Sequence, residues 1–158
     1  MFYKNYLWLF LLFFFPFSVF AEPTNFKCGE SAKNTNNLNL AYTNITLNVE
    51  WYEPIDEEPS TIESVSSYKI NYLFWNKKYY AKIISLLGAS DINESLRYLR
   101  STYGSPFRSK NNIYGWINDS QIILSRRFSL NLGQIEFYCK ELYLEKFDIK
   151  ELQNGAKP

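Results

Sequence analysis

The stretch SDINESLRYLRSTYGSP, residues 90–106, decides how the chain is read. Ile92, Leu96, Leu99 and Tyr103 recur at intervals of four, three and four, which places them on one stripe of an α-helix. Asp91 followed three residues later by Glu94 reads as a variant capping box at the helix start. Gly104 stands where a left-handed residue closes a helix, and Pro106 forbids continuation. This is the clearest element in the 158 residues, and what surrounds it has the period of strands.

Upstream, YTNITLNVEW (42–51) alternates, with Ile45, Leu47, Val49 and Trp51 on one side, and reads as one half-buried strand. EPIDEEPSTIES (53–64), with two prolines and five acids, reads as a solvated loop. SYKINYLFW (67–75) and YYAKIISLL (79–87) are two further strands joined by a turn at Asn76-Lys77-Lys78. Downstream of a basic loop come IYGWI, QIILSRRF and QIEFYCKEL, three strands with short connections, the last with Ile135, Phe137 and Cys139 facing one way. The order β-ββ-α-βββ predicts a two-layer α+β domain, one main helix on a twisted antiparallel sheet. The expected divisions are an irregular N-terminal segment (22–42), a single domain (43–145) and a C-terminal tail (146–158) that is amphipathic over a short stretch.

Ahead of all this, Leu7 to Phe20 are fourteen nearly unbroken apolar residues preceded by Lys4. A membrane-spanning helix needs about 20. The run has the length of an export signal, with Val19 and Ala21 as the small residues of a cleavage site, and residues 1–21 are expected to be removed. Cys28 lies seven residues past Ala21, too far for lipidation. An exported chain goes to the periplasm or is secreted, where an isolated pair such as Cys28 and Cys139 forms a disulfide. No transmembrane segment is expected once the leader is gone; an uncleaved leader would make the protein membrane-retained instead.

The 13 Tyr and 13 Phe come with abundant Asn, Ile and Lys, a set that AT-rich codons favour, so aromatic abundance by itself argues little. Tyr79, Tyr80, Trp75 and Trp116 are the aromatics from which a sugar platform would be built. The formal charge of +1 conceals segregation: residues 22–64 carry −6, residues 65–130 carry +7 and residues 131–158 carry −1. Arg97, Arg100, Arg108, Lys110, Arg126 and Arg127 are the candidate binding residues, a basic surface for an anionic envelope component or an acidic protein. The competing reading has the acidic 53–58 loop fold over that region and neutralise it. Nucleic acid is not expected of an exported, neutral chain without a recognition motif.

Histidine is absent, which excludes Ser-His-Asp and Cys-His catalysis and most zinc hydrolase sites. Ser66 and Lys69 have the Ser-x-x-Lys spacing, but on a strand residues three apart face opposite ways. Asp56, Glu57 and Glu58 do not belong to a cation loop, and the glycines do not form a phosphate loop. Asn44, Asn93 and Asn118 begin Asn-x-Ser/Thr triplets. No catalytic residue, metal or cofactor is assigned. The reading is a non-catalytic exported binding domain, whether adaptor, inhibitor or accessory protein, acting through the basic flank or the uncovered sheet face. The alternative is an enzyme using carboxylate or Tyr/Lys chemistry.

One partial likeness bears on this. A helix ending in Gly104-Ser105-Pro106, a Trp116 strand and a hairpin of Ile122-Ile123-Leu124 with Ile135-Glu136-Phe137 resemble a unit of small bacterial envelope proteins, among them the small lipoprotein of the outer-membrane barrel assembly machinery. The likeness spans 91–142 and implies an envelope adaptor. The chain departs from that family in having no lipidated cysteine and in placing strands, not a second helix, before the helix. Intact-mass measurement of the exported protein should find a chain beginning at Glu22; one beginning at Met1 would make it leader-anchored.

Overall fold

The structure, a computed structural model, describes residues 26–55, 61–62 and 65–147. The expected leader, the acids Asp56, Glu57 and Glu58, and the tail from 148 onward lie outside the described residues. Within them the chain is mainly antiparallel sheet with two helices. The order is β1 (Leu38–Asn44), β2 (Val49–Pro54), β3 (Thr61–Ile62), β4 (Val65–Trp75), β5 (Lys78–Leu87), α1 (Ala89–Tyr103), β6 (Arg108–Lys110), β7 (Ile113–Ile117), β8 (Gln121–Arg127), β9 (Leu132–Cys139) and α2 (Lys140–Lys146). Strands lie side by side as β1-β2-β4-β5-β9-β8-β7-β6, with β3 paired off this path to β4. The β5–β9 pairing joins the two meanders across the position of α1 in the chain.

Asparagine makes the turns. Asn76 and Lys77 (φ 49° and 64°) close β4 onto β5, and Asn111 and Asn112 (φ 53° and 60°) close β6 onto β7. Both are two-residue connections with left-handed backbone at both positions, the geometry that matches strand twist. The stretch 42–51, expected to be one strand, is instead the bend of a hairpin: Asn44 pairs with Val49 and residues 45–48 form the turn. Asn44 Oδ1 accepts from Leu47 N at 3.0 Å, and Asn48 takes φ 54°. The alternation was real, but local side-chain hydrogen bonding offers the backbone a turn, and Ile45 is left 86% exposed. As a result β1 starts inside the segment expected to be mostly irregular (22–42) and runs two residues past its end. The expected basic loop likewise contains β6.

Helix α1 forms with its stripe inward: Ile92 and Leu99 are buried, and Leu96 and Tyr103 partly so. Ser95 is buried beside them and donates to Ile92 O at 2.8 Å. The start differs from expectation. Gly88 is the N-cap and no side chain caps it; Asp91 falls in the first turn and Glu94 pairs with Arg97 instead. The cap lies three residues earlier because Gly88, at φ 116°, redirects the chain out of β5. Asp91 still sits favourably against the positive end of the helix. The C-terminus is as read, with Gly104 at φ 78° and its N–H bonded to Arg100 O. Trp116 Nε1 donates to Gly104 O at 2.8 Å, tying the helix end to β7.

Alternation across the sheet generates two cores. On the first face Tyr72, Phe74, Tyr79, Ile84, Leu86, Ile123 and Ile135 pack against Ile92 and Leu99 of α1. Phe26 inserts among Tyr72, Phe74 and Tyr79 with ring centroids 5.3–5.4 Å away. On the second face Val49, Leu73, Tyr80, Ala81, Ile83, Ile122, Leu124 and Tyr138 pack with Tyr143 of α2. The N-terminal segment is held to the start of β5 by backbone bonds, Gly29 N to Tyr79 O and Tyr79 N to Glu30 O. Cys28 is disulfide-bonded to Cys139, with 5.6 Å between Cα atoms and a sequence separation of 111. Cross-linking so long a loop restricts the unfolded chain, worth about 4.7 kcal/mol in the chain-entropy model. Replacing both cysteines by serine should lower unfolding free energy in urea by about 2–5 kcal/mol, and the unreduced, unfolded wild type should show no titratable thiol.

Candidate binding site

Among the described residues the second face is covered only in part. Helix α2 is seven residues long and lays Tyr143 on β9 and β5. Beyond it a groove of about 500 Å³ runs to the β1–β2 hairpin. Its walls include Leu47, Val49, Trp51, Leu73 and Ile83, and Lys146 and Phe147 form the end nearest α2. Small-molecule sites span about 300–1,000 Å³ with mostly apolar linings and few polar groups, and this groove fits that description. The elements are set by register. Ile83 opposes Glu136, Ala81 opposes Tyr138, and Tyr80 lies at the bulge between the Leu73–Ala81 and Phe74–Tyr79 pairs, so it turns to this face.

At one side of the groove lies a buried ionic network. Glu136 is 2% exposed. Its Oε1 faces Arg126 Nε at 2.6 Å and also accepts from Gln134 Nε2; its Oε2 accepts from the Tyr138 hydroxyl at 2.7 Å. Both oxygens are thus engaged, which offsets the cost of burying the charge. Next to it is an aromatic cluster: Tyr80 with Tyr138 at 5.3 Å, Tyr138 with Tyr143 at 4.8 Å and Tyr143 with Phe147 at 5.1 Å between centroids. The Lys146 ammonium sits 5.3–5.5 Å from the ring centroids of Trp75, Tyr80 and Phe147. Partial burial there lowers its pKa. The Tyr80 hydroxyl is buried and has no hydrogen-bond partner among the described residues. Burial pushes the hydroxyls of Tyr79, Tyr80 and Tyr138 well above the usual tyrosine value of 10.0, and for Tyr138 the neighbouring Glu136 charge adds to it.

The six expected binding residues divide between the faces. Arg97 and Arg100 project from α1 into solvent; Arg97 pairs with Glu94, and Arg100 lies 5.5 Å from the Tyr114 ring. Arg127 is on the same side, donating to Asn93 Oδ1 and to the carbonyls of Ser129 and Leu130. Register puts Arg126, Lys110 and Arg108 on the other face: Arg126 opposes Ile113, which opposes Lys110, and Arg108 opposes Gly115. Arg108 is buried and Lys110 exposed. The acidic segment is partly neutralised away from these arginines, Glu53 by Lys69 at 2.7 Å and Glu50 by Lys77 at 3.0 Å. Trp116 is in the core, and Tyr79 and Tyr80 face opposite sides, so the aromatics considered for sugar stacking do not share a platform.

Glu136, Tyr138 and Lys146 were not among the expected site residues. Their signal was present in part: with Ile135, Phe137 and Cys139 facing one way, Gln134, Glu136 and Tyr138 must face the other. A buried acid diagonal to Arg126, whose direct partner is Gln134, needs the β8–β9 register as well. Among the described residues no group of Cys, Asp and Glu side chains could hold a metal ion, and no helix is long and apolar enough to cross a membrane. No family model matches the chain, and no curated protein or solved structure matches it either. The ground for a function is therefore the groove itself.

Three outcomes follow from this geometry. Glu136→Ala strands Arg126, whose side chain is 14% exposed, and should cost about 3 kcal/mol in chemical denaturation. Joint replacement of Arg126 and Glu136 by leucine should cost far less, because no charge is left unpaired. Tyr80→Phe removes a buried unpartnered hydroxyl and should raise stability by about 1 kcal/mol. The pH dependence has a definite sign. The unfolded tyrosines lose protons near 10.0 while the folded ones keep them. The contribution of these hydroxyls is thus complete below pH 10 and is lost as pH rises beyond it, and thermal melts from pH 8 to 11.5 should show the decline.

Proposed function

We propose that the protein is an exported, non-catalytic binding domain of the cell envelope or secreted space, and that it binds in the groove on the second sheet face. The observation that carries this reading is the concave, largely apolar surface between the β1–β2 hairpin and α2, bordered by a satisfied ionic network. A folded domain rarely leaves such a surface without use. The network supports binding over catalysis. A general base needs a lone pair directed at a proton to be taken, whereas both Glu136 oxygens already face donors within the protein. Without histidine, the remaining candidates for proton transfer on this face are Lys146 and the tyrosines, whose hydroxyls stay protonated at neutral pH.

Export is supported by the leader-like run and by the Cys28–Cys139 disulfide, a bond that persists in oxidising compartments. The likeness of 91–142 to an envelope lipoprotein points the same way. The basic flank of Arg97 and Arg100 is the other surface open to a partner, and one experiment separates the two. The protein, tagged at its C-terminus, is recovered from its native envelope and its retained molecules are identified by native mass spectrometry. Leu47→Lys, on the exposed groove rim, should release them; the Arg97→Glu/Arg100→Glu double variant should keep them. The reverse result would move the site to α1, and recovery of the wild type only from the cytosol would end the export reading.

A further inference from the structure

Taking the groove as the binding site, we infer that its ligand is a single-chain amphipathic carboxylate: an acyl-type apolar chain along the groove, with its head between the Lys146 ammonium and the Tyr80 hydroxyl. The inference rests on the preceding reading and adds the ligand's charge and shape to it.

Three charged side chains line the groove, Arg126, Glu136 and Lys146. Arg126 and Glu136 neutralise each other at 2.6 Å. That leaves one uncompensated positive charge, Lys146, for which no acid among the described residues supplies an ion pair. Among the described residues its ammonium is held by ring faces, 5.3–5.5 Å from three centroids. Ring faces attract a cation but do not accept the hydrogen bonds that its three N–H donors make in water. An anionic head would supply that acceptor.

A second, independent observation points to the same end of the groove. Tyr80 lines it and is 2% exposed, yet its hydroxyl has no hydrogen-bond partner. A buried hydroxyl without a partner is costly and is rarely retained without a use. Lys146 Nζ lies 5.4 Å from the Tyr80 ring centroid, so the ammonium stands over the ring of the residue that carries the orphan O–H. A carboxylate head supplies acceptors for the ammonium and, with its second oxygen, one for the hydroxyl at the groove end. The rest of the lining, with Leu47, Val49, Trp51, Leu73 and Ile83, offers an apolar chain no polar partner and needs none.

The occupant is a free monomer and not a bilayer. A membrane surface is recognised by clusters of roughly four to eight Lys or Arg, whereas among the described residues that line this concave site of about 500 Å³ Lys146 is the one cation outside the Arg126–Glu136 pair. That volume holds one chain.

The test uses the disulfide-bonded protein and the fluorescence of Trp51 and Trp75, titrated with dodecanoate below its micelle-forming concentration and with dodecanol as the neutral counterpart. Dodecanoate should bind saturably at one per chain and at least tenfold more tightly than dodecanol. Lys146→Met should bring the acid down to the level of the alcohol and leave the alcohol unchanged, while Lys146→Arg should retain most of the difference. Tyr80→Phe should weaken dodecanoate about fivefold in a protein that melts no lower than wild type. Equal affinity for acid and alcohol in both wild type and Lys146→Met would overturn the anionic head and leave the groove standing as the site. Absence of saturable binding by either compound would overturn the acyl ligand, and partner release by Leu47→Lys would then still report on the groove. Binding only to phosphatidylglycerol vesicles, with none to monomeric dodecanoate, would make a membrane the occupant and overturn the inference.

Discussion

The central strands are apolar on both sides, and the rest of the molecule answers to that constraint. Along β5, Tyr79, Ile84 and Leu86 face one way while Tyr80, Ala81 and Ile83 face the other, all buried. A sheet covered on one face alternates apolar with polar residues; β5 does not, so cover is needed on both. Helix α1 supplies it on the first face, and Phe26 fills the place where the helix ends its reach. On the second face the cover is α2, and at seven residues it is too short for the width of the sheet. Among the described residues, the groove is what remains of an apolar face after a short helix has covered part of it.

That origin explains the chemistry of the groove. Where cover is complete, the second face carries Ile122 and Leu124, packed in one cluster with Tyr143 of α2. Where it is incomplete, β8 and β9 place Arg126, Gln134 and Glu136 on the same face. A buried ion pair adds little net stability over apolar residues of like size, but it fixes geometry because either member alone is strongly unfavourable. The network therefore gives the groove a rigid polar border beside an apolar wall. The disulfide acts on the same region from the other side: Cys139 ends β9 one residue before α2 starts, so the cross-link to Cys28 also anchors the helix that closes the groove.

Much of this was legible in the residues. The α1 stripe, the Gly104 closure, the strands around Ile70, Ile84 and Ile135, and the Cys28–Cys139 pair all follow from local period or composition. The hairpin at 44–49 was not, because its alternating apolar residues continue straight through the turn and only Asn44 and Asn48 mark it. The start of α1 was misplaced for a related reason: Asp91 and Glu94 carry a capping signal, but Gly88 ends β5 where the chain must leave the sheet, and that geometry prevails over the local signal. The basic residues are the largest gap between the two views. Clustered in sequence, they are dealt to opposite faces by a period of two, as adjacent Arg126 and Arg127 show.

By itself, then, the sequence determined the elements whose information is local: one long helix, a succession of strands, the turn at Asn76, a leader-like run and a lone cysteine pair. Only the tertiary structure decided which strands are neighbours, which arginine meets an acid, and how far α2 extends over the second face. The reason is physical. A helix stripe or a strand's alternation is set by backbone geometry within a few residues, whereas the meeting of Arg126 with Glu136, or of Lys146 with Tyr80, requires register between segments that nothing in their own neighbourhoods specifies.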